Sequence, residues 1–199
     1  IEVVAQTDPA LSSRIDRLLS PMRQAWSTQQ YPQRTKAEYD RWLEDAQRVR
    51  DLVGAYPDPV KYLARLVVQS AQVSASEDFR TRDRLMAENL AWMLERLPPE
   101  TRVVVWTHNT HARKNEDAMG QHLERMYPGE VISIGMATHS GAYAALGGSR
   151  IQAYRLFPAP CGSIEGLMHQ AGLEIGAVVT ERFTEPLLHR NIGLWPADF

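Results

Sequence analysis

Two histidines close an apolar run near the middle of the chain. Residues 102–111 read RVVVWTHNTH, so His108 and His111 follow four successive large apolar residues. An imidazole has a pKa near 6.5 and can transfer a proton, bind an anion or ligate a metal near neutral pH. Ligands of open α/β sheets bind where loops leave the carboxyl ends of the strands. We therefore predict that His108 and His111 are catalytic residues at the end of a strand.

The same residues allow other interpretations. A single histidine after a strand is often a loop residue that is satisfied by backbone or water, and Asn109 can anchor the loop or bind a substrate oxygen. His-x-x-His supplies two nitrogen ligands, whereas a catalytic zinc site usually has three protein ligands. No motif spacing requires a third ligand, for which the candidates are Glu116, Asp117 and His139. We predict no metal site and no cofactor, and keep a metal-dependent hydrolase as an alternative.

The first hundred residues carry helical patterns. One apolar face repeats at Leu11, Ile15, Leu18 and Met22. Thr35 and Glu38 form a capping box ahead of a second stripe, which comprises Tyr39, Trp42, Ala46, Val49 and Val53. Asp58-Pro59 is predicted to open a third helix to about residue 72, with an inward face of Val60, Leu63, Val67 and Ser70. A fourth helix is predicted over about 78–97, before Pro98-Pro99, with an inner stripe of Met86, Leu90, Met93 and Leu97.

The second half alternates strand and helix patterns. Residues 102–107 predict a strand covered on both faces. A helix over 116–127 has Glu116-Asp117 at its positive end and an inward face of Met119, Leu123 and Met126. With a strand over 131–136 it completes a βαβ unit. Further strands are predicted at 151–157 and 177–180, with a short helix capped by Ser163 between them. We predict an α/β fold with a small, mostly parallel sheet flanked by helices. It forms one domain, residues 1–199, with a helical part (1–98) and a β/α part (99–199).

Other reactive side chains carry weaker signals. Arg82 lies one turn before Met86, where it can bind an anionic or carbonyl group or extend to solvent as a snorkelling arginine. Ser163 lacks the G-x-S-x-G turn of a nucleophile, so helix capping explains it. His122 and His169 fall within predicted helices and are expected on the surface, whereas His139 follows a strand and can share the cleft.

The composition excludes several classes of protein. The formal net charge is −2 and no stretch is dense in Lys or Arg, which argues against nucleic-acid binding. Cys161 is the single cysteine, so an internal disulfide is impossible. No apolar stretch reaches the roughly 20 residues that span a bilayer, and the first residues do not resemble a secretion signal. We therefore expect a soluble cytoplasmic protein.

Several segments together resemble the erythromycin esterase family over about residues 35–195. They are RDRLMAENLAW (82–92), VVVWTHNTHARK (103–114), the MG at 119–120, PAPCGSIEGL (158–167) and RNIG (190–193). The resemblance implies an α/β sheet between helices, and the best-known members hydrolyse the lactone ester of macrolide antibiotics. It also implies that His108 and His111 orient substrate or water and stabilise charge. Arg82 and Asn109 match motif positions and are expected to bind substrate.

One motif of that family is not found here. The family's catalytic base is a histidine in a Gly-Glu-x-x-His-Gly segment near the amino end, and all six histidines of these 199 residues lie at position 108 or beyond. We interpret the sequence as the middle and later part of a longer enzyme, or as a shortened relative. We expect a hydrolase that cleaves a small-molecule ester or lactone by general-base activation of water. The alternative is an inactive binding or interaction module, and an exposed sheet edge favours self-association in either case.

Overall fold

The structure is a computed structural model that describes residues 2–27, 35–76, 78–147, 150–179 and 188–189. The chain divides into two compact units, Ile1–Trp92 and Met93–Phe199. None of the described helices is both long enough and apolar enough to cross a membrane. The RNIG segment at 190–193 lies outside the described residues.

The first unit is built from helices, as the sequence predicts. The helices are α1 (Glu2–Thr7), α2 (Pro9–Ser27), α3 (Lys36–Leu52), α4 (Asp58–Ala75) and α5 (Phe79–Leu94). The predicted capping box at the start of α3 is confirmed, because the Thr35 hydroxyl accepts from the Glu38 N–H and the Glu38 carboxylate accepts from the Thr35 N–H. Helix α4 begins at Asp58 itself, with Pro57 as the preceding cap, one residue earlier than predicted.

The core of this unit confirms two of the predicted stripes and corrects the others. Ile15, Met22, the α3 residues Trp42, Ala46 and Val49, and the C-cap residue Val53 are buried together. On α4 the buried face is shifted by one residue, because Ala64, Val68 and Ala71 are buried whereas the predicted Leu63 is exposed. Met93 and Leu97 are exposed as well. Apolar residues at adjacent helical positions define overlapping stripes, and only the neighbouring helices decide which stripe is covered.

Within its described residues, the second unit contains three short helices and one hairpin. They are α6 (Asn109–Ala112), α7 (Met119–Met126), β1 (Gly141–Gly147), β2 (Arg150–Leu156) and α8 (Ile164–Gln170). Strands β1 and β2 pair antiparallel, from Gly141 opposite Leu156 to Gly147 opposite Arg150. The predicted strand at 151–157 and the helix capped by Ser163 are confirmed. The prediction of a mostly parallel sheet is wrong for the described residues, whose one sheet is this antiparallel pair.

The two segments that were predicted to form the parallel sheet are not strands in the described part of the chain. Residues 102–107 and 131–136 belong to no β-ladder of the described chain. The expectation that 102–107 is covered on both faces is also wrong, because Val104 and Trp106 are exposed. A run of apolar residues indicates that its side chains favour burial. The helices or strands that would cover those side chains must come from other parts of the fold. Residues 177–179 likewise form no strand, and residue 180 is not described.

The start of α7 also differs from the prediction. Glu116 and Asp117 have φ values of 53° and 54°, so they form a left-handed turn before the helix instead of its first turn. The helix begins at Met119, and Met119 and Leu123 are buried whereas the predicted inward Met126 is exposed. Two consecutive left-handed residues are incompatible with an α-helix. The turn therefore fixes where α7 begins.

Candidate active site

His108 ends the first extended segment and caps the short helix that follows it. Its backbone is extended, with φ −69° and ψ 149°, and the helix α6 begins at the next residue. The His108 carbonyl accepts from the N–H groups of His111 and Ala112 at 2.9 and 3.2 Å. These bonds close a single helical turn at the end of the apolar run. The structure therefore places the three predicted residues 108, 109 and 111 in one turn.

The hydrogen bond by which the His108 side chain caps α6 determines which ring nitrogen carries the proton. Its Nδ1 accepts from the Thr110 N–H at 3.2 Å and lies 2.9 Å from the Thr110 hydroxyl. A backbone N–H is only a donor, so Nδ1 must carry the lone pair, and the neutral ring holds its proton on Nε2. In this state His108 presents an N–H donor at Nε2. It cannot accept a proton there.

His111 occupies the last turn of α6, three residues after His108. Residues three apart in a helix share a face, so the two histidines lie on the same side of the turn. The His111 side chain is half-buried, and its backbone N–H is used in closing the turn.

Asn109 ties this turn to the second extended segment. Its Nδ2 donates to the Met136 carbonyl at 2.5 Å, and its Oδ1 accepts from the Met136 N–H at 3.0 Å. The side-chain amide therefore pairs with Met136 through both its donor and its acceptor, as a neighbouring strand residue would. This pairing joins the carboxyl ends of segments 102–107 and 131–136, so Asn109 anchors the loop.

Gly120 allows α7 to pack closely against the turn of residues 108–112, which we call the histidine turn. A Cβ at this position would lie 2.2 Å from the carbonyl oxygen of Ala112 and 2.7 Å from that of Arg113. No real Cβ makes contacts this short, so any larger residue would push α6 and α7 apart. The sequence marks Gly120 only as part of a family motif. Its physical role depends on a contact between two helices.

A charged pair fixes the other end of the second segment. Lys114 Nζ donates to the Val131 carbonyl at 2.6 Å and lies 2.8 Å from a carboxylate oxygen of Glu124 on α7. The hydrogen bond from Lys114, with a further one from the Gly129 N–H, lowers the pKa of Glu124 below its ordinary value of 4.5. Lys114 therefore connects the histidine loop, α7 and the start of segment 131–136.

Arg82 lies on α5 in the helical unit, with an exposed side chain. The buried face of this helix includes Asp83 and Ala87, which are one turn apart. The Arg82 face is therefore not the face that α5 packs inward. Sequence reasoning missed the buried Asp83, because an aspartate in a charged stretch resembles a surface residue.

Two further histidines come together in the second unit. The rings of His139 and His169 stack with centroids 3.9 Å apart and planes 12° apart. His139 is half-buried and His169 is exposed on α8, as predicted for a helical surface position. Ser163 is confirmed as the cap of α8, since its hydroxyl accepts from the Gly166 N–H at 3.1 Å. The sequence gives no signal for the histidine pair, because its members are 30 positions apart.

Metal ligands do not converge in the described part of the chain. Within those residues, no group of three or more His, Cys, Asp or Glu side chains is arranged to hold a metal ion. The alternative ligands Glu116 and Asp117 form the left-handed turn before α7.

Comparisons with known proteins identify a family whose members this chain resembles. A family model described as "Erythromycin esterase" matches residues 1–198. "Putative hydrolase YbfO" of Bacillus subtilis (strain 168) is 32% identical over 109 residues, which cover 48% of this chain and 24% of that protein. "Erythromycin esterase type II" of Escherichia coli is 27% identical over 126 residues, which cover 55% of this chain and 30% of that protein.

The matched part is therefore less than a third of the length of either relative. No solved structure matches the chain.

Proposed function

Because the chain belongs to the erythromycin esterase family, we propose that it is a hydrolase that cleaves an ester or lactone at the turn formed by residues 108–112. The observation that carries this proposal is that His108 and His111 lie three residues apart in one helical turn, which the Asn109 side chain ties to Met136. The name of the Escherichia coli relative makes macrolide lactones the first substrates to test. The match to the hydrolase of Bacillus subtilis supports the reaction class.

In this proposal His108 stabilises the negative charge that develops on the carbonyl oxygen. The capping bond leaves its proton on Nε2, which is the state of a hydrogen-bond donor. A neutral imidazole N–H directed at a developing oxyanion acts in the transition state and requires no proton transfer from the enzyme. The fixed turn keeps that donor in place before the substrate arrives.

A different group must take the proton from the attacking water. We propose His111, since it lies three residues after His108 in the same helical turn and is half-buried. A positioned base contributes roughly 10²–10⁴ to the rate of such a step. The family resemblance assigns this role to a Gly-Glu-x-x-His-Gly segment, which these 199 residues do not contain. The base is therefore the part of the mechanism that needs a direct test.

Replacement by alanine and by glutamine separates a donor from a base. Glutamine retains an N–H donor but accepts no proton near neutral pH. We expect His108→Ala to lower kcat by roughly 10²–10³, as for the loss of an oxyanion donor, and His108→Gln to recover about a tenth or more of the activity. For His111 both substitutions are expected to be equally damaging, with the loss of one limb of the pH–rate profile.

The assay is hydrolysis of erythromycin and of 4-nitrophenyl acetate, with the exposed His189→Ala as the control for loss of a histidine. Equal losses in His108→Ala and His108→Gln would show that His108 is a base. Activity unaffected by His111→Gln would place the base elsewhere.

One alternative function is an inactive binding module on the same fold. Such a module would bind esters without turnover, and its binding would survive alanine at positions 108 and 111. A metal-dependent hydrolase would instead lose its activity in chelator and recover it with added zinc.

A further inference from the structure

Thr110 contacts the ring of His108 through two of its groups. The Thr110 hydroxyl oxygen lies 2.9 Å from Nδ1 of His108, and the Thr110 N–H donates to the same nitrogen at 3.2 Å. Thr110 is half-buried within the histidine turn, whereas His108 is exposed. Both contacts use Nδ1, so the opposite ring nitrogen, Nε2, takes no part in them.

The two groups of Thr110 differ in what they allow at Nδ1. A backbone N–H can only donate, so it favours the state in which Nδ1 carries a lone pair. A hydroxyl can donate to that lone pair or accept from a protonated Nδ1, because its hydrogen rotates. The N–H therefore selects the tautomer of the neutral ring, and the hydroxyl can hold the ring in either protonation state.

The hydroxyl also makes the shorter of the two contacts. A distance of 3.2 Å is at the long end of the usual range for hydrogen bonds, whereas 2.9 Å lies in its middle. The χ2 torsion of a histidine is broad, so an exposed ring held by one long bond would sample several orientations. The second, shorter bond to the same nitrogen restricts that motion.

We propose that Thr110 is a positioning residue, whose hydroxyl holds the ring of His108 in the orientation from which Nε2 donates. The inference rests on the proposed function for its catalytic meaning, since Thr110 acts through His108. A donor that is held in place before the reaction stabilises developing charge without reorganisation. Loss of the hydroxyl is therefore expected to lower kcat and to leave KM unchanged.

Valine and serine separate the hydroxyl of Thr110 from the shape of its side chain. Thr110→Val keeps the β-branched shape and the backbone N–H but removes the hydroxyl, whereas Thr110→Ser keeps the hydroxyl. We expect Thr110→Val to lower kcat about five- to tenfold, as for the loss of one neutral hydrogen bond, and Thr110→Ser to stay within about twofold of the unaltered protein. Thr101→Val, at an exposed position before segment 102–107, is the matched control.

Nuclear magnetic resonance of the protein without substrate gives a readout that does not depend on activity. The couplings between Hα and the two Hβ atoms of His108 report whether its χ1 torsion occupies one staggered rotamer or averages over several. We expect one rotamer in the unaltered protein and in Thr110→Ser, and averaged couplings in Thr110→Val. A substitution that only lowered the overall stability would leave these couplings unchanged in the folded protein.

The positioning role and the proposed function can fail separately. If no variant hydrolyses an ester, the proposed function is wrong, and the couplings of His108 still decide whether Thr110 positions the ring. Averaged couplings in the unaltered protein, or a single rotamer in Thr110→Val, would overturn the positioning role. So would full activity of Thr110→Val, or equal losses of kcat in Thr110→Val and Thr110→Ser.

Discussion

The two compact units of the chain bury their apolar residues to very different extents. In the helical unit, Trp42 is 7% exposed and lies among side chains from α1 to α4. In the second unit, Trp106 is 82% exposed on a segment that pairs with no strand among the described residues. Both tryptophans belong to apolar patterns of similar strength. The difference shows that such a pattern is satisfied locally in a helical bundle but needs distant partners in a sheet.

Replacing each tryptophan in turn tests this comparison and is expected to give the largest change in the free energy of unfolding. Trp42→Ala should lower the free energy of unfolding by about 3–5 kcal/mol, because it leaves a cavity in a packed core. Trp106→Ala should change it by about 0.5 kcal/mol or less, as for a surface residue. Urea unfolding followed by circular dichroism measures both, at a concentration where the chain is monomeric. Similar losses in the two variants would mean that the second unit has a core of its own around Trp106.

The packing of α7 against the histidine turn gives the next largest effect. Gly120→Ala places a Cβ 2.2 Å from the Ala112 carbonyl oxygen and should cost about 2–3 kcal/mol, because two backbones must separate. Gly135→Ala is the control, since nothing lies within 4 Å of its Cβ position. Thermal unfolding measures both variants, and a Gly120→Ala variant as stable as Gly135→Ala would contradict the close contact.

Loss of the hydrogen bonds between Asn109 and Met136, which link the turn 108–112 to segment 131–136, is expected to lower stability by a smaller amount. Asn109→Ala removes two hydrogen bonds to Met136 and should destabilise the second unit by about 1–2 kcal/mol. Hydrogen exchange should show the Met136 amide losing protection, whereas Asn115→Ala, at an exposed loop position, should leave it unchanged. An unaltered Met136 amide in Asn109→Ala would show that the link is not populated in solution.

The smallest predicted effect is a pH dependence of stability, which should be seen for Glu124 and not for Glu130 of the second unit. Folding lowers the pKa of Glu124, so its contribution to stability is present above its ordinary value of 4.5 and is lost as the pH falls through the lower value in the folded state. The difference in urea midpoint between the unaltered chain and Glu124→Gln should therefore shrink between about pH 6 and about pH 3. Glu130→Gln, at an exposed turn, should show no such trend. A difference that is constant with pH would contradict the Lys114–Glu124 pair.

Sequence patterns predict the local elements well. The capping box of Thr35 and Glu38, the Ser163 cap and the stripe from Trp42 to Val53 are confirmed. Each depends on residues within about one or two helical turns of one another, so the chain itself keeps them close. The stripe on α4 was displaced by one residue because its partner helices decide which side is covered.

The candidate site was predicted as a set of residues, and its roles depend on contacts that the sequence does not show. His108, Asn109 and His111 fall in one turn, but the proton on His108 Nε2 follows from a bond to the Thr110 backbone. The anchoring of Asn109 needs Met136, 27 positions away. Catalysis by these residues stays a prediction.

The amino-acid sequence by itself determined where α3, α4, α5 and α8 lie to within a few residues, which residues are candidates for chemistry, and that the chain resembles an esterase family. Only the tertiary structure decided that β1 and β2 pair antiparallel, that Gly120 meets Ala112, and that segments 102–107 and 131–136 join no β-ladder among the described residues. The physical reason is the distance along the chain over which each interaction acts. Helical contacts close within four residues, whereas strand pairing and helix packing join residues whose proximity is set by the whole fold.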